Sequence, residues 1–322
     1  MENKSFLPKM PVWQAPTCSI AGPELAAAVS EAGGMGAMAL TWATPEQAAA
    51  AVRQVRAGTS HPFQVNFALA FPPLALSAVL EAGAPILTFS WGDPTPYLAP
   101  IRSAGAKVGV QVTNAPGARR FADLGVDFLI CQGVEAGGHV QATASLWEAL
   151  PHVVEAANGL PVIAAGGIGN GEEMARALRL GATGVMLGTR FVATQESRAH
   201  PEYKRRLVEA RLEEAVLTVC FDGGWPYAAH RVLRNSTLEA WEAAGCPPSG
   251  ARPWEGETLG NTAAGEPIFR YEDTAPRVGF TGKVLEMCLY AGTSCASVAD
   301  IPPAGELVHR LWEECQEFQN LD

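Results

Sequence analysis

Two glycine-containing segments have the composition of an anion cradle. One reads Ala165-Gly166-Gly167-Ile168-Gly169-Asn170-Gly171 and the other Gly188-Thr189-Arg190. Glycines lacking a Cβ let backbone N–H groups approach an oxygen-rich anion, and a helix predicted over 172–180 would add its positive N-terminus. Gly166 and Gly167 alone read equally as a tight turn; the donors of Gly188 and Thr189 favour phosphate. The first segment is not a dinucleotide fingerprint. Counted from Gly167, Glu172 stands where the third glycine of G-x-G-x-x-G belongs. Asn66, Gln111 and Gln132 are neutral groups that donate and accept at once. Any one alone reads as a buried structural amide; together they match a ring edge of alternating C=O and N–H groups, such as a flavin's. His139 follows Gly137 and Gly138 in Gln132-Gly-Val-Glu-Ala-Gly-Gly-His139. An imidazole titrates near neutrality, which suits a general base, although a loop histidine also serves to cap backbone. His61, His152, His200, His230 and His309 fall on helices or flanks and read as structural. There is no H-E-x-x-H, no His/Cys cluster and no G-x-S-x-G. No metal and no serine nucleophile are therefore expected.

These groups must be positioned by a repeat. From about residue 12 to 190, an Ala-rich amphipathic stretch ends at a glycine and a short apolar run follows. The glycines are Gly83, Gly105, Gly125, Gly159 and Gly181. Glycine suits the left-handed position after a helix, and short apolar runs without alternation are strands buried on both faces. The predicted strands are 12–15, 35–40, 63–67, 85–89, 107–112, 128–131, 161–164 and 184–187. Eight strands with intervening helices make an α/β protein of the (β/α)8 TIM-barrel type rather than an open doubly wound sheet, with chemistry at the C-terminal strand ends. The barrel would occupy 1–200. Residues 201–245 read as helical, and 246–277 as an ordered Pro/Gly-rich excursion, so that 201–282 forms a smaller subdomain. Helices are predicted over 283–290 and 306–319, returning to the barrel. Trp225, Trp241, Trp254 and Trp312 read as subdomain core.

Composition sets the outer bounds. The 322 residues carry 23 basic and 33 acidic side chains, a net charge of −10, which argues against a nucleic-acid partner. Apolar residues are 48% and charged residues 17%, so a large core is available. No apolar run approaches a membrane span, and the start MENKSFLPKMPVWQAP has no apolar stretch of a secretory leader. Seven scattered cysteines without C-x-x-C fit a reducing cytoplasm.

The chain resembles the nitronate monooxygenase family over nearly its whole length. The resemblance is carried by Gln132-Gly-Val-Glu-Ala-Gly-Gly-His139, Pro161-Val-Ile-Ala-Ala-Gly-Gly-Ile168 and Leu187-Gly-Thr-Arg-Phe191. Pro23-Glu-Leu-Ala-Ala-Ala-Val-Ser30 with Glu31-Ala-Gly-Gly34, and Leu289-Tyr-Ala-Gly-Thr-Ser294, add to it. It implies FMN on the barrel, held by Asn66, Gln111, Gln132, Gly137, Gly138, Gly166, Gly167, Gly188 and Thr189, with Ala15, Thr17 and Met186 beside it and His139 as the base. The sequence departs from the family at Thr17, Cys18, Ser19, Val140, Gln141, Met186 and Thr293, all expected to face cofactor or substrate, which suggests a specialised substrate. The implied reaction takes an alkyl nitronate, or a nitroalkane deprotonated by His139, with O2 to a carbonyl compound and nitrite. An NAD(P)H-dependent flavin reductase of the enoyl-acyl-carrier-protein or quinone type, a non-redox isomerase or lyase, and a flavin-carrying scaffold stay open as alternatives. Partners are a small molecule and O2, and a homodimer is allowed. Tyr290 and the Ala-Gly-Thr293 turn are expected to fold over the barrel mouth as a lid.

Overall fold

The computed structural model describes residues 6–320. Part of the N-terminal segment used above to exclude a leader lies outside them. Nine strands appear in the first 190 residues: β1 (Val12–Gln14), β2 (Gly36–Ala39), β3 (Phe63–Ala68), β4 (Ile86–Ser90), β5 (Lys107–Val112), β6 (Phe128–Gln132), β7 (Gly138–His139), β8 (Val162–Ala165) and β9 (Gly184–Leu187). All except β7 form one parallel sheet in the order β1-β9-β8-β6-β5-β4-β3-β2. Its ends meet: Trp13 bridges Met35, Gln14 N–H donates to the Met35 carbonyl, and Met35 N–H to that of Val12, both at 2.9 Å. The sheet is a closed eight-stranded barrel, as the repeat predicts.

Successive strand residues face opposite sides, and both sides are apolar. Trp13, Phe128, Ile130, Ile163 and Met186 fill the barrel interior. Val12, Leu129, Cys131, Val162, Ala164 and Val185 pack outward against helices. Gly109 makes room for the interior Phe128, because a Cβ there would stand 2.1 Å from its ring. The ring of helices comprises α1 (Pro23–Glu31), α2 (Pro45–Gly58), α3 (Leu76–Glu81), α4 (Leu98–Ser103), α5 (Ala115–Asp123), α6 (Leu146–Ala156) and α7 (Gly171–Arg179), with a short α8 (Thr189–Val192) after β9.

The chain then leaves the barrel through α9 (Pro201–Val208), β10 (Ala215–Thr218), β11 (His230–Leu233), α10 (Ser236–Ala243), β12 (Thr258–Asn261), β13 (Pro267–Phe269) and β14 (Thr281–Gly282). It returns as α11 (Ala304–Gln319), which lies against α7 and α1 and buries Leu307, Val308, Leu311 and Cys315 in the main core. The helix belonging to the eighth barrel strand is therefore α11, and the excursion is inserted ahead of it.

Three expectations change. Residues 201–245 are only partly helical, because β10 and β11 form an antiparallel hairpin that captures β7 as a third strand, with His230 opposite His139. Residues 283–290 are not a helix beyond one short turn at Val284–Glu286. The run 287–291 instead lies along the hairpin: Leu233 N–H donates to Leu289, Ala291 N–H donates to Arg231, and Tyr290 bridges Val232. The tryptophans divide. Trp312 packs on the barrel core and Trp241 on the hairpin cluster, whereas Trp254 is 61% exposed and Trp225 reaches the barrel mouth.

Candidate active site

A cavity of about 190 Å³ opens at the C-terminal end of the barrel strands. Ala15, Thr17, Asn66, Gln111, Gln132, Gly137, Gly138, His139, Gly166, Gly167, Met186, Gly188, Thr189 and Tyr290 all line it. Thr293 does not: it lies behind Gly167, and its neighbour Ser294 takes the wall. Ser19, Val140 and Gln141 also stay out of the wall, although all three were expected to face cofactor or substrate. Cys18 lines it as expected, and Trp42, Trp91 and Trp225 line it although they were not among the candidates. Among the described residues the wall contains no Lys, Arg, Asp or Glu.

The cradle is built at the ends of β8 and β9. Gly166 and Gly167 have φ of +109° and +73°, values only glycine adopts without strain, and a Cβ on Gly167 would sit 2.8 Å from that of Glu135. Among the described residues, the N–H groups of Gly166, Gly167, Gly188 and Thr189 donate to no partner. The α7 terminus contributes less than its position suggests. Gly169 N–H is given to Glu173, Gly171 N–H to Glu314 and Glu173 N–H to the Asn170 side chain. Arg190 is buried and turned to Asp300, at 2.5 Å. The donors left for an anion are the β8 loop amides and those at the start of the short α8, not the α7 end or a guanidinium.

The three amides are largely engaged. Gln132 accepts from Gln141 N–H at 2.9 Å and donates to the His139 carbonyl at 3.3 Å. Gln111 donates to the Gln141 side chain at 2.7 Å, and the same oxygen accepts the Trp91 N–H at 3.1 Å. Asn66 donates to the carbonyl and hydroxyl of Thr88. Gln141 is thus the hub that ties the His139 loop to β5 and fixes Trp91, whose φ is +59°. Gln132 is engaged through both its functions, whereas Asn66 and Gln111 use only their NH2 groups.

His139 lies within an aromatic cluster: Trp225 at 4.4 Å, His230 at 5.5 Å, Tyr290 at 5.7 Å and Trp91 at 6.3 Å between ring centres. The Tyr290 hydroxyl donates to the Asp273 carbonyl at 2.8 Å and stands 3.4 Å from Nε2 of His139; Nδ1 has no hydrogen-bond partner. Burial, then the neighbouring His230, push the His139 pKa down to about 3, with the Ala228 carbonyl opposing. The sequence expectation of a group poised at neutrality is corrected: the ring is held neutral. His230 is structural, as expected. It donates from Nδ1 to Ala228 and accepts Phe221 N–H, and burial lowers its pKa too. Cys18, at φ +45°, has its thiol pushed up to about 11 by burial and Asp273, so it offers no thiolate at neutral pH.

The return segment closes the rear wall. Gly292 N–H donates to the Thr189 hydroxyl and Thr293 N–H to the Glu135 carbonyl. A Cβ on Gly137 would stand 2.3 Å from the Gly292 nitrogen, so this approach requires glycine. The Tyr290 carbonyl accepts the Tyr203 hydroxyl. Tyr290 and its turn are packed as a fixed wall, not as a loose flap.

Fold and site together define a (β/α)8 barrel with unengaged glycine-loop amides and a neutral histidine at its mouth. Residues 2–75 and 73–314 match the nitronate monooxygenase family model, and the chain belongs to that family, a family of oxidoreductases. It is 36% identical, over 72% of its length, to a (3aS,4S,5R,7aS)-5-hydroxy-7a-methyl-1-oxo-octahydro-1H-indene-4-carboxyl-CoA dehydrogenase of Mycobacterium tuberculosis, and spans only 65% of that relative. It is 31% identical to a nitronate monooxygenase of Pseudomonas aeruginosa, covering 74% of this chain and 81% of that one. The solved structure of FabK from Thermotoga maritima superposes with a TM-score of 0.83 at 30% identity, covering 98% of this chain and 95% of that one.

Proposed function

We propose that the protein is an FMN-dependent enzyme that oxidises an alkyl nitronate, with O2, to a carbonyl compound and nitrite. The observation that carries this reading is the pairing of a cradle of unengaged amides with a neutral, partly unpartnered His139 across one uncharged cavity. Gly166, Gly167, Gly188 and Thr189 offer N–H groups to a phosphate, Thr17 has a buried hydroxyl without a partner, and Asn66 and Gln111 line the same cavity with their side-chain oxygens not engaged. These residues would hold the cofactor. When bound, FMN supplies the electron transfer between substrate and O2.

The chain's own contribution is orientation and proton placement. His139 is uncharged before substrate arrives, so its imidazole is in the form that can accept a proton from a nitroalkane. A preformed nitronate has already lost its proton and makes no such demand on the ring. A ring held near pKa 3 is a weak base, so preformed nitronate is the better substrate. The aromatic wall excludes water from the reacting end.

The test is direct: purified protein is examined for flavin absorbance, then for nitrite release from propyl nitronate in air. A colourless protein that takes up no FMN overturns the reading. A flavin enzyme exchanging hydride with NAD(P)H is the second reading, favoured by the dehydrogenase among the relatives. Anaerobic mixing with NADH separates the two, because rapid bleaching selects the second.

A further inference from the structure

The tryptophans at the cavity mouth do more than shield the reacting end. Trp42 follows β2, Trp91 follows β4, and Trp225 sits in the β10–β11 turn; all three line the mouth. They form one connected surface. Trp225 contacts Trp91 at 4.6 Å and Phe71 at 5.1 Å, and Phe71 contacts Trp42 at 5.4 Å. Two of the three are held through their backbone. Trp91 is fixed by its N–H bond to Gln141, and the Trp225 loop is seated by Gly223 and Gly224, where a Cβ would stand 2.9 Å from Glu272 Cα and 2.4 Å from the Asp273 carboxylate. Yet the surface is left partly open, with Trp42 56% exposed. Indole faces that are positioned but uncovered suit a flat partner, and a wall with no ionised side chain gives a charged substituent nothing to pair with.

We propose that this mouth selects nitro compounds and nitronates whose organic part is a flat, uncharged aromatic group, stacked on the Trp91–Trp225–Trp42 surface. Short alkyl chains leave the indoles wet, and carboxylate-bearing chains are desolvated without a counter-charge. Trp225 is then a specificity-determining residue supplied by the inserted segment. The inference rests on the proposed reaction only for the nitro end of the ligand; the selection itself is a property of the wall.

Binding of 2-phenylnitroethane, 1-nitropropane and 3-nitropropionate to the protein as isolated is measured by titration calorimetry, with nitrite release followed on the same samples. The phenyl compound is expected to bind about tenfold more tightly than 1-nitropropane, and 3-nitropropionate the least. Trp225→Ala is expected to reduce that preference at least about threefold and Trp225→Phe to keep most of it; Trp42→Ala, at a half-exposed position, serves if the first variant is unstable. Equal affinities in the unaltered protein, or a preference unchanged in the alanine variants, overturn the proposal. Phenyl preference without nitrite sinks the oxidation reading and leaves this one standing; nitrite without preference does the reverse.

Discussion

His139 shows how far a residue's chemistry is set by its surroundings. Its loop position was legible in the sequence, because a double glycine before a histidine at a strand end marks a barrel mouth. Its proton affinity was not, since that depends on Trp225 and His230, which arrive from a distant hairpin. His139→Ala is expected to depress turnover of neutral nitroalkane by about a hundredfold, the weak end of general-base assistance, and to spare preformed nitronate. Parallel loss on both substrates in steady-state oxygen consumption would argue against proton transfer. The pH profile follows from the same surroundings. With His139 near 3, Cys18 near 11 and Tyr290 raised by burial, no wall residue titrates around neutrality. kcat/KM for preformed nitronate is therefore expected to be flat between about pH 6 and 8; an inflection there would place a different group in charge.

Elements were read unevenly, and the reason is physical. The barrel strands emerge clearly because β8 or β5 is a short β-branched run between a glycine and a helix, a signal local in sequence. The segment Val284-Leu-Glu-Met-Cys-Leu-Tyr290 gave a false helix because a short apolar run has no decisive period. Its extended form is fixed by β11, over fifty residues earlier in the chain. The same limit hid the Gln141 hub and the capping of α7 by Glu314 from α11. Contact between this return segment and the His139 loop is testable. Gly137→Ala places a methyl 2.3 Å from Gly292 nitrogen. It is expected to cost about 1–3 kcal/mol by overpacking and to weaken flavin retention; unchanged urea midpoint and flavin content would show the two segments move apart freely.

On the scale of the whole molecule, two expectations concern stability. Leu311 of α11 is 2% exposed within the main core, although it lies over a hundred residues beyond β9. Leu311→Ala is expected to destabilise the entire barrel by about 2–5 kcal/mol in a single urea transition, not to release only the C-terminus. Acid should also act globally. His139 and His230 both have lowered pKa values in the fold, so the unfolded chain binds more protons once the pH drops below the ordinary histidine value of 6.5. Stability is then expected to fall steadily as the pH goes from about 6.5 toward 4, and His230→Gln to flatten that slope; a midpoint indifferent to pH in this window would contradict the buried neutral pair.

The placement of residues 193–303 between β9 and α11 has one more implication. Both ends of that excursion are stitched into the cylinder, one by the eighth strand and the other by the helix that seals the outer ring. It therefore cannot swing as a hinged arm, and whatever shapes the doorway is rigidly referenced to the floor. A new hairpin tip exchanged at the Trp225 turn would inherit that registration, leaving the barrel free to keep its reaction while descendants of this chain change what they admit.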